Sequence, residues 1–395
     1  MDKEQELSYV LVTPHSIRKS RTGGIVSRLL SRTGLDLVRA RLFAPGKALI
    51  DEYAGTIVTD AEPRHQKTQA LIRDYIYSHL LPNPDIEGGR QPLAMLLVLQ
   101  GPRAVEKVRT VVGHIVNERT AGETIRDTYG DYVTDANGNV IYFEPAVLAP
   151  PTPEAAELHL KLFARYSDSD GGIFDQSTFY PDGANVEKTL VLIKPDNFRY
   201  PNARPGGVID LFSWTGLTII GMKVHHMSVA QAMQFYGPVL DTLKNLYRTR
   251  TGEQARAAIE RELGFPIDEA TQQALGDLLG PIHGTYYWET LVAFMTGRRP
   301  SDCTEDLKHA PGTEKCLALV YQGVYAVAKI RAVLGPTDPS KAPTGTIRKE
   351  FGQSIMVNAA HASDSAENAA RELGIIQIEE NNLKPFVESF YATKV

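Results

Sequence analysis

The feature that most constrains this chain is that it contains itself twice. "LSYVLVTPHSIRKSRTGGIVSRLLSRTGLDLVRARL" near the start parallels "KTLVLIKPDNFRYPNARPGGVIDLFSWTGLTIIGMKV" from residue 188. Further on, "LLVLQGPRAVEKVRTVVG" parallels "LALVYQGVYAVAKIRAVLG", and "GETIRDTYG" parallels "TGTIRKEFG". Gly101, Arg109 and Arg126 match Gly323, Arg331 and Arg348 at one constant offset, without a gap. A repeat of about half the chain means two homologous domains, because solenoid repeats recur every ~20–50 residues. The first domain is placed at residues 1–165 and the second at 187–395. The linker at 166–186 is rich in Gly, Ser and Asp. Its "DSDGG" starts like a calcium loop but lacks the later ligand positions, so it reads as a linker.

Composition narrows the function classes. A chain of 395 residues is long for one core. The formal net charge of -5 provides no general attraction to nucleic acid or acidic membranes. Cys303 and Cys316 are the only cysteines, too few for a disulfide framework or a cysteine zinc site, and a reducing compartment fits best. The N-terminal "MDKEQELSYVLV" is charged and then passes straight into a strand-like run. It reads as neither signal peptide nor membrane span, and the expectation is a cytoplasmic protein.

Hydrophobic spacing in the second copy predicts strand and helix in alternation. "TLVLIK" is a short apolar strand, and "GGVIDLFSWTG" places Val208, Leu211, Phe212 and Thr215 on one helical face. "LTIIGMKV" is the next strand, and Ser228 can cap "VAQAMQFYG". A charged, helix-favouring insertion follows, at about 241–283. "CLALVYQG", "VYAVAKIRAVLG" and "QSIMVNAA" complete the order as strand, helix, strand. A βαββαβ order predicts an α+β fold of ferredoxin-like type, helices on one face of an antiparallel sheet, twice in tandem. Such a fold settles no function by itself.

Function must be sought in "VNAAHASDSAENAAREL", where one histidine stands among small residues. Asp364 and Glu367 predict a capping box for the helix that follows, which puts His361 on a loop at a helix N-terminus, where an anion is favoured. Elsewhere in the copy, Lys194 ends a strand, Arg331 lies late in a helix and Arg348 follows a polar loop. Asn358 and Glu372 flank His361. Three cations, an amide, a nucleophile and an orienting carboxylate make the inventory needed to pass a phosphoryl group through a histidine.

These blocks, in the order "IKPD", "FYGP", "LGPTDP", "GTIRKEFG" and "VNAAHASDS", resemble the nucleoside diphosphate kinase family. The resemblance covers nearly all of residues 187–395, with Ala362 where the family commonly has Gly. It implies that His361 takes the γ-phosphate from a nucleoside triphosphate and passes it to a nucleoside diphosphate, with Glu372 and Ser363 holding its ring. It implies Lys194 and Asn358 at the ribose 3′-hydroxyl and Tyr236 beside the γ-phosphate. Arg331, Thr337 and Arg348 would clamp the phosphates and Mg²⁺ would bridge them. Tyr287 would stack on the base, with Leu291 one turn on. Family enzymes form oligomers, so the resemblance further implies a homo-oligomer in which the first domain is a built-in partner, with nucleotides as partners and neither nucleic acid nor membrane.

The first copy departs from that pattern. Thr13 stands at the lysine position, and Leu148 falls near the histidine position in "YFEPAVLAPPTPEAAEL". Tyr53, Arg109 and Arg126 survive, while His15 and His114 read as incidental. Clamps without lysine or nucleophile predict a structural pseudo-domain. Two other readings compete. A non-catalytic nucleotide sensor or scaffold is suggested by the degenerate copy and the insertion, but the complete residue set of the second copy opposes it. An RNA-binding pair of ferredoxin-like domains is opposed by the acidic charge and the lack of an aromatic RNP-type strand.

Overall fold

The computed structural model describes residues 5–57, 63–84, 90–115, 122–175 and 177–395; the charged residues 1–4 lie outside them. The first copy runs β1 (Gln5–Val12), α1 (Thr22–Thr33), β2 (Asp36–Phe43), α2 (Lys47–Gly55), α3 (Pro63–His79), β3 (Ala94–Pro102) and α4 (Ala104–Val112). A hairpin of β4 (Asp131–Thr134) and β5 (Val140–Glu144) follows, then β6 (Val147–Leu148) and α5 (Pro153–Tyr166). The second copy begins with β7 (Val186–Ile193), α6 (Arg204–Ser213), β8 (Thr218–His225), α7 (Val229–Tyr236), α8 (Leu240–Leu263) and α9 (Glu269–Thr296). It ends with β9 (Cys316–Val324), α10 (Ala326–Leu334), β10 (Ala360–Ala362), α11 (Ala366–Ile376) and α12 (Leu383–Phe390).

The main sheets are four-stranded, in the orders β2-β3-β1-β6 and β10-β7-β9-β8. Counted among the strands of its own sheet and read from the β2 or the β8 edge, each gives second, third, first, fourth, which is the ferredoxin-like order predicted from the sequence. β1 pairs antiparallel with β3 and β6, and β7 with β9 and β10. Alternation along β1 sorts its side chains to two cores. Val10 and Val12 join one core together with Val191, Ile193, Leu317 and Leu319 of the second copy. Leu7, Tyr9 and Leu11 face another core, which Leu383 and Val387 of α12 help to fill.

Compactness therefore divides the chain differently from the repeat. One unit comprises Met1–Val224 with Leu317–Val395, and the other is His225–Cys316. In the first unit, α1 and α6 cross closely because both carry the repeated Gly-Gly pair. A Cβ at Gly206 would collide with the backbone of Ser27 and Gly23, and one at Gly23 with the backbone of Asp210. The segment after α5 bonds to both copies: Gly172 N–H donates to Leu42 C=O at 3.3 Å and Phe174 N–H to Ile220 C=O at 2.9 Å.

In the second unit, α8 and α9 form a long hairpin on a ladder of glycines. A Cβ on Gly280 would lie 2.5 Å from Arg248 Cα, and one on Gly284 2.6 Å from Lys244 Cα. The insertion is thus not a separate element, since its second helix continues past residue 283 to Thr296.

Local expectations are corrected in four places. α6 ends at Ser213, so Thr215 lies beyond it. The strand expected over "QSIMVNAA" is only Ala360–Ala362, because Gln353 and Ser354 N–H fold back onto Val357 C=O in a turn. His361 consequently sits in β10, opposite Leu192, and not on a loop. Ser365, and not Asp364, caps α11, its hydroxyl accepting from Asn368 N–H.

Candidate active site

Strand pairing brings His361 to its neighbours. β10 is too short to hold itself, and its place beside the buried β7 fixes the His361 backbone. Glu372 lies on α11, the helix that packs against β7, and is 4% exposed. Its Oε2 is 3.0 Å from His361 Nε2 and accepts the Ser363 hydroxyl at 2.7 Å. An ionised carboxylate only accepts, so the contact holds the ring proton on Nε2. Nδ1 is then the nitrogen that presents a lone pair. Asp364 is held below the usual carboxylate range, first by the hydrogen bond from Asn368, with the nearby Arg331 and His361 adding to it.

A second group forms around Lys194, which follows β7. Its Nζ donates to Asn358 Oδ1 at 2.7 Å and to Met356 C=O at 3.2 Å. Burial, with the like charge of Arg348 adding to it, pulls the ammonium down to about 7. Asn358 Nδ2 donates to Thr337 C=O at 3.0 Å. Arg348 is buried, its Nη1 reaching Gly335 C=O at 3.0 Å and the Thr337 hydroxyl at 3.4 Å, its Nη2 reaching Ala360 C=O at 3.2 Å. The guanidinium is thereby pinned to the residue beside His361. Arg331 is exposed in the last turn of α10. The structure thus gathers His361, Ser363 and Glu372 in one cluster and Lys194, Thr337, Arg348 and Asn358 in another.

Tyr236, Tyr287 and Leu291 belong to the unit His225–Cys316. There Trp288 Nε1 donates to Tyr236 C=O at 2.8 Å, which ties α9 to the end of α7. Tyr287 and Leu291 are one helical turn apart on α9, and the Tyr287 ring lies 5.4 Å from that of Tyr247 on α8.

The first copy repeats this frame with other chemistry. Leu148 pairs with Leu11 as His361 pairs with Leu192, so it occupies the histidine position in register. Thr13 N–H donates to Ala146 C=O as Lys194 N–H does to Ala359 C=O. Arg126 reaches Gly113 C=O and Val147 C=O, the counterparts of the Arg348 acceptors. At the lysine position, Thr13 Oγ1 and Tyr75 hydroxyl donate to the buried Glu144 at 2.8 and 2.6 Å.

The sequence reading missed His159. It stands as far beyond the cap Thr152 as Glu372 stands beyond Ser365, so aligning the two caps would have found it. Its Nδ1 is 2.8 Å from the Tyr9 hydroxyl and its Nε2 2.7 Å from that of Thr56; burial draws it down to about 4. Both ring nitrogens of His159 are thus engaged by hydroxyls of the first copy.

Topology and repeat together define a duplicated ferredoxin-like α+β protein with a histidine–carboxylate pair in its second copy. Comparison with known proteins adds the family. The nucleoside diphosphate kinase family profile matches residues 271–381. A nucleoside diphosphate kinase of Chlamydia pneumoniae is 30% identical over 48% of this chain and 88% of its own length. One from Helicobacter pylori is 31% identical over 47% of this chain and 92% of its own. The crystal structure of an NDP kinase from Pyrobaculum aerophilum is 27% identical, covers 50% of this chain and 100% of that one, and superposes with a TM-score of 0.34. This chain belongs to the nucleoside diphosphate kinase family.

Proposed function

We propose that the protein is a nucleoside diphosphate kinase working by a ping-pong mechanism through phosphohistidine at His361. The observation that carries this reading is the Glu372–His361 contact at 3.0 Å, which leaves Nδ1 as the nitrogen able to bond phosphorus. In the first half-reaction the Nδ1 lone pair attacks the γ-phosphorus, the bond to the β–γ bridging oxygen breaks, and the diphosphate departs with that electron pair. In the second, the terminal oxygen of another diphosphate attacks the phosphohistidine, and Nδ1 regains its lone pair. Glu372 stays hydrogen-bonded to Nε2 throughout and offsets the positive charge that the ring gains.

The remaining roles follow the resemblance. Lys194 and Asn358 would meet the ribose 3′-hydroxyl, and Arg331, Thr337 and Arg348 the phosphates. Phosphoryl transfer gains more from in-line placement and fixed positive charge than from proton chemistry, and these groups offer both. Tyr236, Tyr287 and Leu291 are assigned to phosphate and base on the same ground. Mg²⁺ enters with the nucleotide, as part of the substrate. The protein carboxylates nearby suit no cage of their own for it: Glu372 already accepts from Ser363 and faces His361, and Asp364 accepts from Asn368.

The test uses labelled ATP and Mg²⁺. The protein is expected to take up an acid-labile phosphate that chases onto added GDP, and His361→Ala to lose both labelling and turnover. Normal labelling of that variant would refute the nucleophile assignment.

A further inference from the structure

The insertion has so far been assigned no task, yet it delivers one aromatic ring to a defined place. Gly280 and Gly284 let the α8 backbone approach α9 at Lys244 and Arg248, where any side chain on those glycines would collide with main chain. Tyr247 lies between those two positions and is directed at α9, only 6% exposed. Its ring centroid is 4.3 Å from that of His283 and 5.4 Å from that of Tyr287, tilted at 52° and 37°. His283 and Tyr287 are one turn apart on α9, so Tyr247 packs across both. His283 is itself held, its Nδ1 2.9 Å from the Thr251 hydroxyl of α8. Tyr287 is half-buried. At the next residue, Trp288 anchors the backbone of α9 to Tyr236.

We infer that Tyr247 is a positioning residue: it sets the plane of the Tyr287 ring and so strengthens binding of the base of a nucleotide. The inference rests on the proposed base-stacking role of Tyr287. Its physical basis is that stacking rewards a ring already fixed in the bound orientation. A tyrosine without its neighbour would have to be ordered by each base that arrives. The inserted α8 thereby becomes part of base recognition, through a residue outside the family motifs.

The experiment measures KM and kcat for ADP and CDP, and inhibition by ribose 5′-triphosphate, which has phosphates and ribose but no base. Tyr247→Ala is expected to raise KM for both diphosphates about three- to tenfold, the loss of one aromatic pair. It should leave kcat and ribose 5′-triphosphate inhibition nearly unchanged, and Tyr247→Phe should restore wild-type KM. If Tyr247→Ala disrupts the hairpin, Tyr247→Leu fills the space without a flat ring and should show the same base-dependent loss. An equal loss for nucleotides and the base-free probe would overturn the inference, because it marks a general structural role. So would an unchanged KM in Tyr247→Ala alongside a raised KM in Tyr287→Ala, which leaves the base role of Tyr287 intact. If Tyr287→Ala also binds normally, the base-stacking reading fails and the inference with it.

Discussion

Lys194 shows how much a single residue depends on what is bound beside it. Its ammonium is buried and has a carbonyl and an amide oxygen as acceptors, with a guanidinium as neighbour. Its pKa is therefore about 7, against an ordinary 10.5. Polyphosphate would favour the charged form, so binding above neutrality should take up a proton. Calorimetry at about pH 8 in buffers of different ionisation enthalpy is expected to show uptake approaching one proton per site, falling away near pH 6 and absent in Lys194→Met. The same depression has a sign for stability. Between about 7 and 10.5 the unfolded chain holds a proton that the folded one lacks, so stability of the unliganded protein should rise with pH across that window. A decline there in wild type relative to Lys194→Met would contradict the account.

Helices α8 and α9 owe their contact to glycine, and two helical glycines of the chain should respond to alanine in opposite directions. At Gly280 a methyl group would lie 2.5 Å from main chain, which nothing but a backbone shift can relieve. Gly280→Ala should cost ~1–3 kcal/mol and lower the melting temperature. Gly374 in α11 has open space at its Cβ. Gly374→Ala should stabilise by ~0.5–1 kcal/mol, because it removes backbone entropy from the unfolded chain without a clash. Thermal and urea unfolding of the two variants side by side checks both signs. Equal effects would mean that close approach is not what separates the two sites.

For the whole molecule, the two copies share a core and cannot be parted without exposing it. Leu383 and Val387 fill the core under β1, and Val10 and Val12 pack with Val191 and Ile193. Deletion of residues 1–165 should uncover these side chains and yield an aggregating or unstable fragment, as happens when an obligate interface is lost. Size-exclusion chromatography of that fragment tests the point, and a monodisperse, fully active fragment would refute it. With Leu148 in the histidine register and both His159 nitrogens engaged, full phosphorylation should give about one phosphate per chain. Mass spectrometry of the intact phosphoprotein reads this directly, and a value near two would overturn the pseudo-domain proposal.

The duplication, the strand and helix order and the ferredoxin-like topology could all be read from the chain, because alternation and helical spacing are local properties that burial imposes on every element. So could the residues that gather around His361 and Lys194: the cations, the amide and the carboxylate stood out by residue type, and Ser363 and Thr337 by the family resemblance. What the sequence could not disclose depends on contacts between distant segments. The place of His361 in a strand follows from its pairing with Leu192, and the short run Ala360–Ala362 has no pattern long enough to announce it. His159 acquires meaning only when Thr152 and Ser365 are seen to cap equivalent helices. The seat of α12 in the core of the first copy, and of Tyr247 against Tyr287, are decided by which surfaces meet in space, a property of the folded chain and of no segment within it.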